Sequence, residues 1–488
     1  MEIIRTLFVF LYWGAILLFL VERRKIVLNK FRDLGLERSE ADHILVLLFV
    51  GSIYLLWTAL FNHYPLVFSD TNTYLIANSF KDRAAGYAVF LRLTSLGLSL
   101  WLTVFVQSLI TACLLMRISC IMLGETKFSE YWALAIITGV IALTDVSKFV
   151  SLIMPDITAS WLFLGVALFY LSYKWYDNIL SVIAFLTALF CHYANMLTLL
   201  GLLPVICVAL FCCKDQYPKL WVKTKTFLII VFLILFSVCA LNFSIDRDFT
   251  LFPAQKGNFA FAKFTSFGFL SPALDEYCAE ANKDNIFCYL KKELKYINGH
   301  DIEQIIWVDK SPLKRYGLFK HPREINDLNS IMLKRNRSTI IRRSISDTFE
   351  LLFSFDSYNG VETVKTPIAA YAIKRNFTWE YPSFHVDNQV RGKAILRVIP
   401  FGNEVYGPLI WSLIIILSLL AMAKIDQRIA PLCLGLFLFI FLHDFITAST
   451  SGVFARYNLC VLWLIPYTCL LAITISINKF FILKRSNI

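Results

Sequence analysis

The sequence predicts an all-α polytopic membrane protein carrying one long polar insert. Three observations predict it. Apolar residues make up 58% of the 488-residue chain and charged residues only 17%, with a mean hydropathy of +0.63; a soluble domain carries roughly half and a quarter. The apolar excess is gathered into runs, and stretches such as Phe227–Cys239 and Leu409–Ala423 hold no charge at all. About 20 helical residues cross a ~30 Å hydrocarbon core, so such runs read as spans. Between about Ser244 and Gly407 the runs stop and polar residues take over.

Hydropathy gives about eleven spans. In order they are Leu7–Val21, Ile44–Phe61, Leu98–Leu115, Tyr131–Leu143, Thr158–Leu171, Ile179–Cys191, Met196–Phe211, Phe227–Phe243, Leu409–Ala423, Pro431–Ile446 and Leu459–Ile477. The chain therefore divides into an N-terminal membrane region (1–243), an insert (244–407) and C-terminal membrane helices (408–488). No internal repeat or low-complexity tract is visible.

Lys and Arg near the span ends set the orientation, because cytoplasmic loops carry the excess. The first span is followed by Glu22, Arg23, Arg24 and Lys25, and later loops on that side hold Arg117, Lys127, Lys174, Lys214, Lys219, Lys223, Lys225 and Arg428. The opposite short loops carry only Lys81, Arg83, Arg92, Lys148 and Arg456. The N-terminus is expected outside and the C-terminus in the cytoplasm, in a bacterial inner membrane or an endoplasmic reticulum. The first apolar stretch lacks a small-residue cleavage site after it and reads as a reverse signal anchor. The net charge of +12 sits largely beside the spans, so it reads as topology rather than as nucleic-acid binding.

The insert falls on the outer side. It and its border hold N-x-S/T sequons at Asn242, Asn336 and Asn376, and it is long enough for a small domain. Of the 12 cysteines only Cys278 and Cys288 lie in it, and outside the cytoplasm they can form a disulfide. There is no CxxC, no zinc spacing, no phosphate-binding P-loop and no dinucleotide glycine pattern.

On this topology the unusual polar residues share one face. Asp70 (FSDTNTYL), Arg83 and Gly86-Tyr87 fall in the first outer loop after the second span. Asp156 (MPDITAS) starts a span at the outer side, His192 lies in an outer turn, His443 and Asp444 end the penultimate span, and Arg456-Tyr457 (SGVFARYN) start the last. Ionisable groups at membrane depth are costly and usually face a cavity or a partner. Carboxylates beside an arginine suit a phosphate-linked substrate: a carboxylate deprotonates a hydroxyl and a guanidinium holds the phosphate. Each residue also has a plain structural reading. Asp70 fits a helix cap or turn, Asp156 a helix start favoured by the macrodipole, His192 a satisfied interfacial histidine, His443-Asp444 a local pair without function, Arg83 and Tyr87 a surface loop, and Arg456-Tyr457 an interfacial anchor.

An acidic residue in the first outer loop followed by R-x-x-G-Y (DRAAGYAVFLRL), a later outer acid in MPDITASWLFLGVALFY and a terminal RY element in SGVFARYNLCVLWLIP resemble the GT-C superfamily, multi-pass glycosyltransferases that use polyprenyl- or dolichyl-phosphate sugars. The similarity covers short motifs in the membrane region and not the insert. It departs in carrying Asp70 alone where many members pair two acids, and in placing the first loop after a second span. The resemblance implies a GT-C fold, an outer-loop active site, Asp70 as catalytic acid or base and Arg456 as the group holding the lipid phosphate.

The expected function is thus sugar transfer from an isoprenoid-phosphate donor to a lipid, glycan or protein acceptor at the outer face. Asp70 and Asp156 would be catalytic, while Arg83, Tyr87, His192, His443, Asp444, Arg456 and Tyr457 would bind substrate. Asp70 and Asp156 offer oxygen ligands to Mg²⁺ or Mn²⁺, though no spacing demands a metal. A transporter or lipid flippase and a non-catalytic membrane scaffold are the alternatives.

Overall fold

A computed structural model describes residues 38–76, 83–212, 218–246, 249–252, 257–280, 285–306, 308, 310–356, 367–399, 403–422 and 426–486. The expected first span, Leu7–Val21, lies outside the described residues. Among those described, 79% are helical and no strand forms, so the chain is an all-α protein.

The N-terminal region comprises α1 (Arg38–Leu55), α2 (Trp57–Phe61), α3 (Thr71–Ile76), α4 (Ala85–Ser95), α5 (Leu100–Leu123), α6 (Lys127–Leu143), α7 (Val146–Ser151), α8 (Ile157–Leu171), α9 (Trp175–Cys191), α10 (Tyr193–Cys212) and α11 (Pro218–Asp246). The insert holds α12 (Gly257–Ser266), α13 (Leu270–Glu280), short helical turns between Ile286 and Lys320, α14 (Pro322–Leu352), α15 (Pro367–Asn376) and α16 (Tyr381–His385). The chain ends in α17 (Asn403–Met422), α18 (Ile429–Thr450), α19 (Ala455–Leu462) and α20 (Leu464–Ser486).

Local signals set several of these boundaries. The Ser99 hydroxyl accepts from the Trp101 N–H to start α5, and Gly124 ends it at φ 102°, a left-handed conformation that glycine adopts without a Cβ penalty. Thr126 and Ser129 form a reciprocal capping box at the head of α6.

Among the described residues five helices are long and apolar enough to cross a membrane, which makes this a multi-pass membrane protein. A sixth span follows if α9 and α10 count together, since they meet at a 119° bend. His43–Leu55, Phe128–Leu143 and Ile157–Leu171 are apolar but shorter, so the structure delivers fewer full-length spans than hydropathy suggests. Three of the expected spans are shaped by local breaks: Ile44–Phe61 is split at Leu56 between α1 and α2, and the two on either side of His192 meet at the 119° bend. The last span is central, with 78% of its apolar window buried, whereas α17 is peripheral at 22% and turns Ile415, Leu419 and Met422 outward.

The apolar residues form two main cores. The large one runs through the membrane helices and takes in Ala369, Ile373, Phe377 and Phe384 from the end of the insert. The second is confined to 261–332 and is built on Phe261, Phe287, Leu294, Leu328 and Met332. Cys278 and Cys288 are joined in a disulfide beside this second core.

Candidate functional site

The segment that delivers Asp70 is held on both edges. Leu66 pairs in parallel fashion with Leu152: its N–H donates to the Ser151 carbonyl and its carbonyl accepts from the Ile153 N–H, both at 2.9 Å. On the other edge the Gln389 side chain acts as a strand. It accepts from the Val67 N–H at 3.0 Å and donates to the Val67 carbonyl at 2.6 Å. Thr71 then closes the turn, its hydroxyl accepting from the Phe68 N–H and donating to the Ile153 carbonyl. Asp70 is left at the start of α3 with its carboxylate turned to two arginines.

Those arginines are Arg83 and Arg456. Arg83 Nη2 lies 2.8 Å from Asp70 Oδ2, and Arg456 Nη2 lies 3.5 Å from the same oxygen. All three side chains are at least four-fifths buried, which strengthens the charge pairing over that of a surface ion pair. The Arg456 guanidinium lies over Phe68 at 4.1 Å and donates to the Tyr457 hydroxyl at 3.0 Å, while its Nη1, also buried, has no hydrogen-bond partner. Arg83 faces Phe259 of the insert at 5.7 Å.

Asp156 stands at the same level. It immediately precedes α8, at the helix start, and its side chain makes no capping hydrogen bond. It is buried within electrostatic reach of Asp70, Arg456 and Lys148. Burial pushes its carboxyl above the usual carboxylate range, with Arg456 pulling the other way.

The R-x-x-G-Y element has a packing explanation. A Cβ at Gly86 would sit 2.1 Å from the Phe190 carbonyl oxygen, so only glycine lets α4 meet the end of α9. Tyr87 is fully buried. Its hydroxyl donates to Gln107 at 2.8 Å, and Gln107 in turn donates to the Val150 and Leu152 carbonyls. Tyr87 therefore positions the loop that carries Asp156, and it touches the site through Tyr74, whose ring lies edge-on at 5.0 Å.

The remaining predicted residues are placed differently. His192 caps α9, and its Nδ1 accepts from the Ala194 N–H at 3.2 Å, a local bond at the bend. His443 and Asp444 are buried as a pair on α18 at 3.2 Å, and Asp444 Oδ2 has no hydrogen-bond partner. Cys460 lies within electrostatic reach of Asp444, Asp156 and Arg456, which links the pair to the cluster. Tyr457 packs with Leu351 and Ala448, tying the arginine to the end of α14.

The sequence reading missed Tyr74, Phe68, Lys148 and Phe259, all of which border the cluster. Lys148 is fully buried and carries the clearest signal of the four: a lysine in an apolar stretch. Phe68 and Tyr74 are aromatics among 43 Phe and 21 Tyr and carry none, whereas Phe259 belongs to the aromatic-rich stretch NFAFAKFTSFGFL of the insert.

Among the described residues no three His, Cys, Asp or Glu gather as a metal-binding group. Asp70 and Asp156 lie within electrostatic reach of one another, and Asp70 is already engaged by both arginines. No protein-family profile matches the chain, and no curated protein and no solved structure matches it.

Proposed function

We propose that this protein is a glycosyltransferase that moves a sugar from an isoprenoid-phosphate donor to a hydroxyl acceptor at the face holding Asp70. The observation that carries this reading is the buried Arg456 with an unspent N–H beside a carboxylate it only partly engages. A buried donor without an acceptor costs about 1–3 kcal/mol, and a phosphate oxygen would remove that cost.

In this scheme Arg456 and Arg83 hold the phosphate. Asp156, or Asp70 once phosphate has displaced it from Arg456, takes the proton of the acceptor hydroxyl. The acceptor oxygen bonds to the anomeric carbon as the bond from that carbon to the phosphate oxygen breaks, and the isoprenyl phosphate leaves with the electron pair. The dry surroundings strengthen each charge interaction along that path.

Turnover of lipid-linked sugar in membranes tests the reading. We expect Asp70→Asn and Asp156→Asn each to lower transfer by about 10²–10⁴-fold if it is the base, and Arg456→Lys to lower it through loss of the planar fork. Wild-type membranes that transfer no sugar from any isoprenoid-phosphate donor would remove the proposal. One observation favours a second reading: the 119° break between α9 and α10 is a form that transporters use at substrate sites. A transport signal without sugar transfer would select it.

A further inference from the structure

At the opposite end of α8 from Asp156 lies a cleft of about 460 Å³ between α8, α9 and α11. The 15 residues of α8 separate the two by about 22 Å at 1.5 Å per residue, and Lys219 and Lys223 belong to the loop expected on the cytoplasmic side, so the cleft is read as facing that leaflet. Its walls are apolar. Ile179, Ile183 and Val222 line it and remain 50, 47 and 62% exposed, as expected of a surface that lipid covers.

Its polar end is built from Lys219, Lys223 and Asn178. Lys223 is only 8% exposed. Its ammonium donates to the Ser172 carbonyl at the end of α8 and lies 4.2 Å from the Tyr173 ring. That is one hydrogen bond for a group with three donors. Neither Lys223 nor Lys219 is within salt-bridge distance of a carboxylate among the described residues, Asp177 acting on Lys223 from farther off, and Asn178 Oδ1 is buried without a hydrogen-bond partner. Two cations with unspent donors and an unmet acceptor thus stand at the mouth of an apolar groove that opens to the membrane.

We infer that this cleft binds an anionic phospholipid of that leaflet, with the phosphodiester on Lys219 and Lys223, a headgroup hydroxyl on Asn178 and an acyl chain along Ile179, Ile183 and Val222. Charge complementarity and the open apolar walls select this occupant: a free phosphate would leave the groove uncovered, and a neutral lipid would leave the cations unmatched. The inference does not depend on the proposed activity.

The test is native mass spectrometry of the full chain in detergent, titrated with palmitoyl-oleoyl phosphatidylglycerol or with the matching phosphatidylcholine. Wild type is expected to bind phosphatidylglycerol more tightly. Lys219→Gln, at an exposed position, should lower that preference about fivefold, the equivalent of ~1 kcal/mol per lysine at a membrane surface. Lys223→Gln should do the same if it folds, and Lys225→Gln, on the same helix but away from the cleft, should leave it unchanged. Equal affinity for the two lipids overturns the inference. So does a Lys219→Gln variant that matches Lys225→Gln, or displacement of the lipid by excess inorganic phosphate.

Discussion

The two halves of the insert fold by different means. Residues 261–332 enclose their own core, with Phe287, Leu294 and Leu328 fully buried and a disulfide alongside. Residues 367–397 enclose nothing; their apolar side chains finish the membrane core, and their polar ones reach into it. Arg397 lies 2.6 Å from Asp145 with both side chains nearly or wholly buried and with Tyr406 against the guanidinium at 3.9 Å. Glu380 accepts from the Tyr64 hydroxyl at 2.8 Å, from the Ser99 hydroxyl and from the Leu100 N–H. Asn62 donates to the Ile395 carbonyl and accepts from the Ile395 N–H. One half can sit on a membrane protein; the other is part of it. A continuous polar stretch in sequence need not be one structural unit.

The largest effect that would break this contrast comes from the tail. Asp145→Asn removes the charge from the carboxylate that Arg397 meets at 2.6 Å, and removal of one member of a buried pair costs about 3–5 kcal/mol. The expected result is a large fall in the detergent melting temperature of the whole protein. A normal melting temperature would mean that the tail is only laid on the bundle. Leu294→Ala in the separate core should cost about 2–5 kcal/mol as well, but locally. Limited proteolysis should then cut within 261–332 while the membrane helices keep their hydrogen-exchange protection, and loss of protection throughout would merge the two halves.

The gentlest test is a pH slope. Burial pushes the Asp387 carboxyl up to about 7, against the pull of the Val390 and Gln389 backbone, and Oδ2 has no hydrogen-bond partner. An acid whose folded pKa is raised favours folding when protonated, so its contribution is complete below about pH 4 and is lost as the pH climbs to about 7. The melting temperature should therefore fall over that window, and Asp387→Asn should flatten the slope. An unchanged slope in the variant would assign it to another group.

What was legible in the sequence follows the same division. Asp70, Arg83, Asp156 and Arg456 stand out because charge is rare in apolar runs, and the structure brings these four together. Tyr87 was legible as a motif member but is buried in the packing. Gln389, Glu380, Asn62 and Arg397, which hold the site's scaffold, were not legible: in a polar stretch or at a span end such residues look solvated, and only the fold buries them. Hydropathy does not reveal the helix break at Leu56 or the bend at His192, because neither changes the apolar run it reads.

The Gln389 side chain that completes the edge of Val67 enters the chain 322 residues after it. At about 5–20 residues per second, a ribosome needs roughly 15–65 s to cover that distance. Throughout that interval the segment bearing Asp70 has at most the edge that Leu152 supplies, and Arg456 is later still. The site is thus among the last features of the protein to be assembled during its synthesis, and a chain released early would be inserted in the bilayer but chemically incomplete.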